Sequence, residues 1–329
     1  MKKHYSIIVP VYNRPDHIQL LLECLSKQSY TNFEVLIVES GSTIKSDEVV
    51  GKFNDALDVK YIFKGNDGQG FSRNRGMKEA SGEYFIILDS DILLPENYIE
   101  NVNNYLSTNF LDAFGGPDKL HPSSTPFQVA ANFCMTSFLT TGGTRGKKSA
   151  VGKYYPRSFN MGVSREVYEK TGGFNIPFMG EDIEWSHRII DAGFKTGLIE
   201  KAFVNHERKN SIRTFYKQIH FFGRARINIS KIVPKSFKLV HSIPILYCIY
   251  TLSLIPLGVL CTMLLGVAAI PFVVYNLLIL ISATIKTKDL RIGFYSLVGS
   301  NALMWAYFTG MIKEFINLYI LKNEQSYKL

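Results

Sequence analysis

Two aspartates separated by one residue, Asp89 and Asp91, are the first feature of this sequence that could do chemistry. They follow residues 84–88, a short apolar and aromatic run that is typical of a buried strand. Positions i and i+2 of an extended chain point the same way, so both carboxylates should face one side of the strand's end. Carboxylate oxygens suit Mg²⁺ or Mn²⁺, which in turn bind phosphate oxygens. An Asp-Ser-Asp turn that simply leaves a strand is the plainer alternative, and these residues alone favour it.

The elements before this pair alternate between strand and helix patterns. Strand patterns at residues 5–11, 33–38 and 59–63 are separated by helix patterns, which predicts an α/β fold with a parallel, doubly wound sheet. Asn13 and Glu39 follow the first two strands, as the aspartate pair follows the fourth. Ligands bind at the carboxyl edge of such sheets. Polar groups after three strands therefore constitute a site hypothesis.

The order of the motifs resembles the inverting family-2 glycosyltransferases of the GT-A fold. The resemblance covers about residues 4–210, and several motifs in the right order are more specific than any one of them. It implies a Rossmann-like domain that transfers a sugar from a nucleotide diphosphate. The motifs that carry it are Ile8-Val-Pro-Val-Tyr-Asn-Arg14, Glu34-Val-Leu-Ile-Val-Glu-Ser-Gly-Ser42, Gly70-Phe-Ser-Arg-Asn-Arg-Gly76, Ala80-Ser-Gly82, Leu88-Asp-Ser-Asp91, Gly172-Gly-Phe174, Glu181-Asp182, Arg188 and His206.

The resemblance also implies roles for individual residues. Asp182 would be the general base that takes a proton from the acceptor hydroxyl, and Glu181 would bind the acceptor. Asp89, Asp91 and His206 would hold Mn²⁺ or Mg²⁺ against the donor diphosphate. The residues implied to contact the nucleotide sugar are Pro10, Tyr12, Asn13, Arg14, Glu39, Gly70, Arg73, Asp89 and Ser90.

Several of these residues have a plainer interpretation as well. An aspartate at the start of a helix, such as Asp182, is a common cap. A single histidine such as His206 is more often an ordinary core or surface residue. We expect Arg188 to pair with Glu184, four residues earlier on the same helix.

The donor that the resemblance implies is a UDP-sugar, but one motif departs from the family. The acidic pair usual after the second strand is Glu39-Ser40 here, which weakens the case for uracil recognition. The Gln-x-x-Arg-Trp motif of processive polysaccharide synthases is also absent. We therefore expect one sugar to be transferred per encounter.

The positive charge of the chain is concentrated in one block. The formal net charge is +9, and residues 195–238 carry eleven Lys or Arg against two Glu, which accounts for 11 − 2 = +9. A basic block directly before an apolar segment is typical of the cytoplasmic face of a membrane protein. A nucleic-acid surface is the alternative, but no recognition-helix or RNA-binding motif accompanies the charge. We expect a membrane partner and no nucleic acid.

Two charge-free runs follow the basic block, at residues 243–285 and 292–312. Since one span needs about 20 apolar residues, the first predicts two spans, at about 243–263 and 266–285. The second predicts a third span, or a segment that lies in the interface or re-enters. The positive-inside rule places the basic flanks in the cytoplasm.

Together these patterns predict three regions. They are a GT-A catalytic domain at residues 1–210, a basic amphipathic juxtamembrane segment at 211–240, and a membrane domain at 241–329 with two to three transmembrane helices. The predicted location is the cell (inner) membrane, as a multi-pass protein with a cytoplasmic catalytic domain.

The predicted activity is metal-dependent, inverting transfer of a sugar to a hydroxyl of a glycan or lipid-linked acceptor, in polysaccharide or cell-envelope synthesis. Two alternatives stay open. One is a polyprenyl-phosphate sugar synthase, whose acceptor is a lipid phosphate. The other is a non-catalytic membrane scaffold that binds nucleotide sugars, which the intact set of carboxylates and histidine disfavours.

Overall fold

The computed structural model describes residues 3–142 and 154–323. Contact density divides these residues into two compact units. The first, which we call the sheet unit, consists of residues 3–121 and 154–207, and the second, the helical unit, of residues 122–142 and 208–323. The junction at 207–208 lies near the boundary expected at 210. Residues 122–142, in contrast, group with the C-terminal helices, although the sequence assigned them to the catalytic domain.

The sheet unit contains two β-sheets. Its strands are β1 (Tyr5–Val11), β2 (Phe33–Ser40), β3 (Val59–Lys64), β4 (Tyr84–Leu88), β5 (Ile92–Leu93), β6 (Ala113–Gly115), β7 (Asp118–Leu120), β8 (Asn160–Ser164), β9 (Thr196–Leu198) and β10 (Val204–His206). The larger sheet has the order β3-β2-β1-β4-β8-β6-β9, and the smaller one β5-β10-β7. Strands β1 to β4 pair in parallel, whereas β8 enters antiparallel between β4 and β6. The sheet is therefore mixed and not wholly parallel.

Helices α1 to α4, α7 and α8 belong to the sheet unit, and the others belong to the helical unit. The described helices are α1 (Pro15–Ser26), α2 (Asp47–Gly51), α3 (Gln69–Glu79), α4 (Tyr98–Thr108), α5 (Pro126–Thr136), α6 (Phe138–Thr141), α7 (Arg165–Thr171), α8 (Glu181–Asp191), α9 (Ile212–Ile232), α10 (Ile243–Leu260), α11 (Thr262–Ala268), α12 (Ile270–Thr287) and α13 (Leu290–Phe315). Short 3₁₀ turns lie at Pro234–Ser236 and Leu239–Ser242, and a π-helical turn follows α13 at Ile316–Ile320.

The central strand β1 is buried on both faces. Successive side chains of a strand point to opposite faces, so Tyr5, Ile7 and Val9 pack in one hydrophobic cluster with α1 and α4. Ile8 packs in a second cluster with α3 and α8. Burial on both faces explains the nearly continuous apolar runs of the parallel strands. The same burial holds the parallel strands in place, so the loops after β1, β2 and β4 meet at the carboxyl edge of the sheet.

Two glycines allow α9 and α13 of the helical unit to touch backbone to backbone. A Cβ atom on Gly223 would overlap the carbonyl oxygen of Tyr307, and one on Gly310 would overlap that of His220. Small residues of this kind permit helices to approach more closely than larger side chains do. The basic helix α9 is therefore packed along α13 on one face.

A buried carboxylate, Glu314, joins the same two helices. The Arg224 Nε lies 2.7 Å from Glu314 Oε2, and Asn228 Nδ2 donates to Glu314 Oε1 at 2.6 Å. The Glu314 side chain is fully buried. Since a buried charge is costly unless it is paired and hydrogen-bonded, these two partners explain how an acidic residue is accommodated there.

Two of the described helical stretches are long and apolar enough to cross a membrane, at Leu239–Leu260 and Met263–Thr287. They coincide closely with the two spans expected at 243–263 and 266–285. The third expected span, 292–312, lies inside α13 and is not among them. That helix packs along α9 and α5 and buries Glu314. It therefore lies against other helices of the helical unit.

Polar contacts fix the register of the two apolar stretches. The Tyr250 hydroxyl donates to the carbonyl oxygen of Ala268 at 2.6 Å, which pairs α10 with the end of α11. Asn301 of α13 donates to Asn276 of α12 at 2.7 Å and accepts from the Tyr247 hydroxyl of α10. The stretches therefore form a hairpin whose turn lies at Cys261, between α10 and α11.

Candidate active site

A cavity of about 290 Å³ opens at the carboxyl edge of the larger sheet. Its wall is formed by the ends of β1 and β2, the loop after β3, the start of α3 and the segment after β4. This is the edge at which the sequence placed a site. Six of the predicted site residues line it: Pro10, Tyr12, Arg14, Asp89, Ser90 and Asp91.

The sequence interpretation missed several polar residues in this wall. Asn66 belongs to the loop after β3, and Gln69 and Ser72 belong to the first turns of α3. A signal for them existed, because β3 is parallel to its neighbours and its carboxyl end reaches the same edge. Ser40, at the end of β2, completes this part of the wall and forms a short hydrogen bond with Ser72.

Asp91 lies between two basic side chains. Arg14 Nη1 is 2.8 Å from Asp91 Oδ2, and His206 Nε2 is 3.4 Å from Asp91 Oδ1. His206 reaches this position because β10 pairs with β5, directly after Asp91 in the chain. Burial raises the pKa of Asp91, but the hydrogen bond and charge of His206 and the charge of Arg14 outweigh it. They hold the pKa of this carboxyl well below its usual range.

Asp89 faces a different partner, the fully buried Arg73. Arg73 Nη2 lies 2.8 Å from Asp89 Oδ1, and its Nη1 lies 2.9 Å from Glu181 Oε1. Gln69 donates to the same Glu181 oxygen at 2.6 Å. Burial lowers the pKa of Arg73, but the two carboxylates raise it above its ordinary value. Burial also raises the pKa of Glu181, which the charge of Arg73 opposes.

Asp182 stands next to Glu181 at the start of α8. Its Oδ1 accepts from the backbone of Ile183 at 2.8 Å, and its Oδ2 accepts from the backbone of Ser158 at 3.4 Å. The capping position of α8 is held by Gly180, with φ of 103°, and no side chain caps the helix. Asp182 is therefore not the N-cap residue, but it lies in the first turn of α8 and accepts from a backbone N–H of that turn. Its side chain is 17% exposed and forms an ion pair with Arg157.

Glu39 is not part of the cavity wall. It is fully buried, and its Oε2 accepts from the backbone of Ser46 at 2.7 Å and from the Tyr61 hydroxyl at 2.7 Å. The direct nucleotide contact expected for Glu39 is therefore corrected. Its carboxylate instead organises the loop that leaves β2.

Asn13 and Gly70 also shape the site from outside the cavity wall. The Asn13 Oδ1 accepts from the backbones of Thr43 and Ile44 at 2.8 and 2.9 Å, which ties the loop after β2 to the end of β1. The Gly70 backbone donates to Pro177 at 2.8 Å, and a Cβ atom there would crowd a neighbouring carbonyl oxygen. Both residues position their loops, and the direct nucleotide contacts expected of them stay predictions.

The expected shell of three metal ligands is not assembled. Within residues 3–142 and 154–323, no three His, Cys, Asp or Glu side chains are arranged to hold a metal ion, because Asp89 turns to Arg73. Asp91 and His206 remain, and His206 Nδ1 is buried without a hydrogen-bond partner in the described chain. A carboxylate and an imidazole suit Mn²⁺. Mg²⁺ and similar ions often complete their shells with substrate phosphates and water, so this pair fits such an ion.

Comparison with known proteins identifies the family. Residues 6–172 match the family model described as Glycosyl transferase family 2. Glycosyltransferase AglE of Haloferax volcanii is 29% identical over 229 residues, which are 68% of this chain and 73% of that protein. Succinoglycan biosynthesis protein ExoA of Rhizobium meliloti is 27% identical over 228 residues, 67% of this chain and 68% of the relative. Other curated glycosyltransferases match over 30–32% of this chain and 14–43% of their own length.

A solved structure shares the fold over nearly the whole chain. The mannosyltransferase PcManGT from Pyrobaculum calidifontis, in complex with GDP-Man and Mn²⁺, superposes with a TM-score of 0.66 at 15% sequence identity. The superposition covers 96% of this chain and 88% of that one. The family match and the fold agree with the carboxyl-edge cavity and its aspartates. The chain therefore belongs to glycosyl transferase family 2 and is a glycosyltransferase of the GT-A fold.

Proposed function

We propose that this protein is a metal-dependent, inverting glycosyltransferase that moves a sugar from a nucleotide diphosphate to a hydroxyl of a glycan or lipid-linked acceptor. The observation that carries the proposal is that one ion-pair network joins the cavity to the start of α8. In it, Arg73 bridges Asp89 of the cavity wall and Glu181, which precedes Asp182. A cavity for the donor and a separate carboxylate for the acceptor are the two parts that inversion requires.

The donor side is the cavity with Arg14, Asp91 and His206. Arg14 and His206 both contact Asp91. A diphosphate bound there would therefore lie close to the guanidinium of Arg14. A divalent ion bound by Asp91 and His206 would supply Lewis-acid stabilisation of the departing diphosphate. Tyr12 is exposed and lines the cavity, which supports a contact of its ring with the nucleotide base.

The proposal also concerns which nucleotide the donor sugar carries. A UDP-sugar remains the prediction from the family resemblance. Ser40, which replaces the family's second carboxylate, lines the cavity, and the structural relative from P. calidifontis carries GDP-Man. Binding assays should therefore begin with both UDP and GDP.

The acceptor side is the carboxylate of Asp182. As general base, it takes the proton from the attacking hydroxyl while the bond between the anomeric carbon and the diphosphate oxygen breaks. The backbone groups of Ile183 and Ser158 donate to this carboxylate and hold it in one orientation. Glu181, which Arg73 and Gln69 hold in place, supports the same end of the site.

The setting that we propose is glycan synthesis at a membrane. The two apolar stretches of the helical unit support anchoring, and the basic block of residues 195–238 supports a cytoplasmic catalytic domain. The relative from R. meliloti is named for succinoglycan biosynthesis, which supports a polysaccharide or envelope glycan as the product.

Two variants test the proposal, one through turnover and the other through nucleotide binding. Asp182→Asn should lower turnover by about 10²- to 10⁴-fold, because it removes the base, and should leave nucleotide binding unchanged. Asp91→Ala should weaken Mn²⁺-dependent nucleotide binding. Calorimetry with UDP and GDP, with and without Mn²⁺, measures binding, and labelled donor incubated with membranes measures transfer.

Three results would contradict the proposal in different ways. Near-normal turnover of Asp182→Asn would show that Asp182 is not the general base. Nucleotide binding that does not depend on the metal would contradict the proposed role of the divalent ion in donor binding. Donor binding without transfer or hydrolysis would favour a scaffold. Label found in a lipid phosphate carrying one sugar would identify a polyprenyl-phosphate sugar synthase.

A further inference from the structure

An arginine of the acceptor side, Arg157, forms an ion pair with the candidate base Asp182. Its Nη1 lies 3.7 Å from Asp182 Oδ1, which is beyond hydrogen-bond distance, and its side chain is 44% exposed. Within the described residues, the guanidinium donates no hydrogen bond. Its N–H groups therefore stand beside the candidate base and are available to a ligand.

The other arginines near the site are used by the fold. Arg14 and Arg73 bind carboxylates of the cavity. Arg165 donates to backbone carbonyl oxygens, and Arg188 donates to Glu184. Among the described arginines of this part of the sheet unit, Arg157 differs in donating no hydrogen bond from its guanidinium. A guanidinium whose N–H groups make no hydrogen bond is a ready site for an anion.

The segment that carries this arginine touches both sides of the active site. The next residue, Ser158, donates its backbone N–H to Asp182 at 3.4 Å. The residue after that, Phe159, accepts from the backbone of Asp89 at 3.3 Å and places its ring 5.9 Å from that of His206. The arginine thus stands at the base side of a short segment that runs to the proposed metal ligands.

We propose that Arg157 binds a phosphoryl group of the acceptor, and hence that the acceptor hydroxyl belongs to a glycan carried on a lipid phosphate or diphosphate and not to a neutral glycan. This inference rests on the proposed function, since it assigns the acceptor side of that site. A guanidinium presents paired N–H donors that match two phosphate oxygens. A phosphoryl group held there places what is attached to it next to Asp182. Two candidate membrane-crossing stretches in the same chain suit a substrate with a lipid tail.

The test compares two probes that differ only in the phosphate, farnesyl phosphate and farnesol. Binding is measured on the full chain in detergent with Mn²⁺ and saturating UDP or GDP, so that the donor side is already filled. We expect Arg157→Gln to weaken farnesyl phosphate binding by about 10- to 100-fold, the usual effect of losing a hydrogen bond to a charged group. Farnesol binding should not change, and Arg157→Lys should show a smaller loss.

Arg75→Gln is the matched control. Arg75 has a similar exposure, 48%, but pairs with Glu79 on the surface of α3, so its loss should leave both probes unaffected. Correct folding of each variant is checked by its thermal unfolding in detergent, and the proposal expects its nucleotide affinity to be that of the wild type.

Three outcomes would overturn the inference. Unchanged farnesyl phosphate binding in Arg157→Gln would exclude the contact. A parallel loss of nucleotide binding would assign the arginine to the donor's own diphosphate. Full displacement of farnesyl phosphate by an equal concentration of inorganic phosphate would indicate a site for free anions and not for a lipid. None of these measurements needs turnover, so they fail or succeed independently of the test of transfer.

Discussion

At the scale of single residues, Arg73 is a buried charge of the active site that pairs with two carboxylates. Its side chain is 1% exposed, and it faces Asp89 and the nearly buried Glu181. One positive charge thus serves two carboxylates, one in the cavity wall and one beside the candidate base. The sequence placed Arg73 against the nucleotide. Its contacts instead make it the residue that sets the position of both acidic groups.

We predict that Arg73→Met destabilises the protein by about 3–5 kcal/mol, because it leaves the buried carboxylate of Glu181 without its partner. Chemical denaturation of the purified protein in detergent measures the change. The double variant Arg73→Met/Glu181→Gln should recover part of the loss, since one of the stranded charges is then removed.

Arg75→Met serves as the control for this prediction. Arg75 lies two residues away on the same helix, and its partner Glu79 is at the surface, where ion pairs contribute little. If Arg73→Met were as stable as Arg75→Met, the buried network would not be what holds the two sides of the site together.

At the scale of elements, the approach of α9 and α13 depends on two glycines. We predict that Gly223→Ala destabilises the helical unit by about 1–3 kcal/mol, the usual range for overpacking, because the new methyl group meets the backbone at Tyr307. Gly310→Ala should act in the same direction through His220. Thermal unfolding in detergent is the measurement.

Gly266→Ala separates this contact from helix propensity. Gly266 is also in a helix, α11, but no heavy atom lies within 4 Å of the position its Cβ would take. Alanine is the better helix former by up to about 1 kcal/mol, so Gly266→Ala should be neutral or stabilising. Equal shifts for Gly223→Ala and Gly266→Ala would show that the helices are not in tight contact.

The elements with a strong local pattern were predictable from the sequence. The apolar run of β4 (Tyr84–Leu88) and the start of a helix at Asp182 are confirmed, because such signals act over a few residues. Arg188 pairs with Glu184 as its spacing on one helix predicted. Of the six predicted residues in the cavity wall, Asp89 and Asp91 followed from the rule that parallel strands bring their carboxyl ends to one edge. Pro10, Tyr12, Arg14 and Ser90 followed from the family resemblance.

What the sequence could not supply is the pairing of distant segments. Strand β10 has three residues and β5 has two, which is too short for any periodic pattern. Their pairing nevertheless decides that His206 meets Asp91. The turn of Asp89 towards Arg73 is likewise a choice between two partners of opposite charge, a metal ion and a guanidinium, and spacing along the chain does not distinguish them.

At the scale of the whole molecule, the decisive question is whether the apolar hairpin crosses a bilayer. The stretches Leu239–Leu260 and Met263–Thr287 have 22 and 25 residues. At 1.5 Å per residue each is longer than the hydrocarbon core of about 30 Å. Lys238 and Lys286 lie at the open end of the hairpin, and Cys261 lies at its turn. From the positive-inside rule we therefore predict that the turn lies on the side opposite the cytoplasm.

We predict that Cys261 is labelled from outside intact cells by a membrane-impermeant maleimide. The variant used keeps Cys261 and replaces Cys24, Cys134 and Cys248 by serine. A second variant on a cysteine-free background carries Lys238→Cys at the open end, and it should be labelled only after permeabilisation, because the open end faces the cytoplasm. If both variants needed permeabilisation, the hairpin would lie along the cytoplasmic surface without crossing. If Lys238→Cys alone were labelled in intact cells, the orientation would be the reverse, and a cytoplasmic nucleotide sugar could not reach the active site.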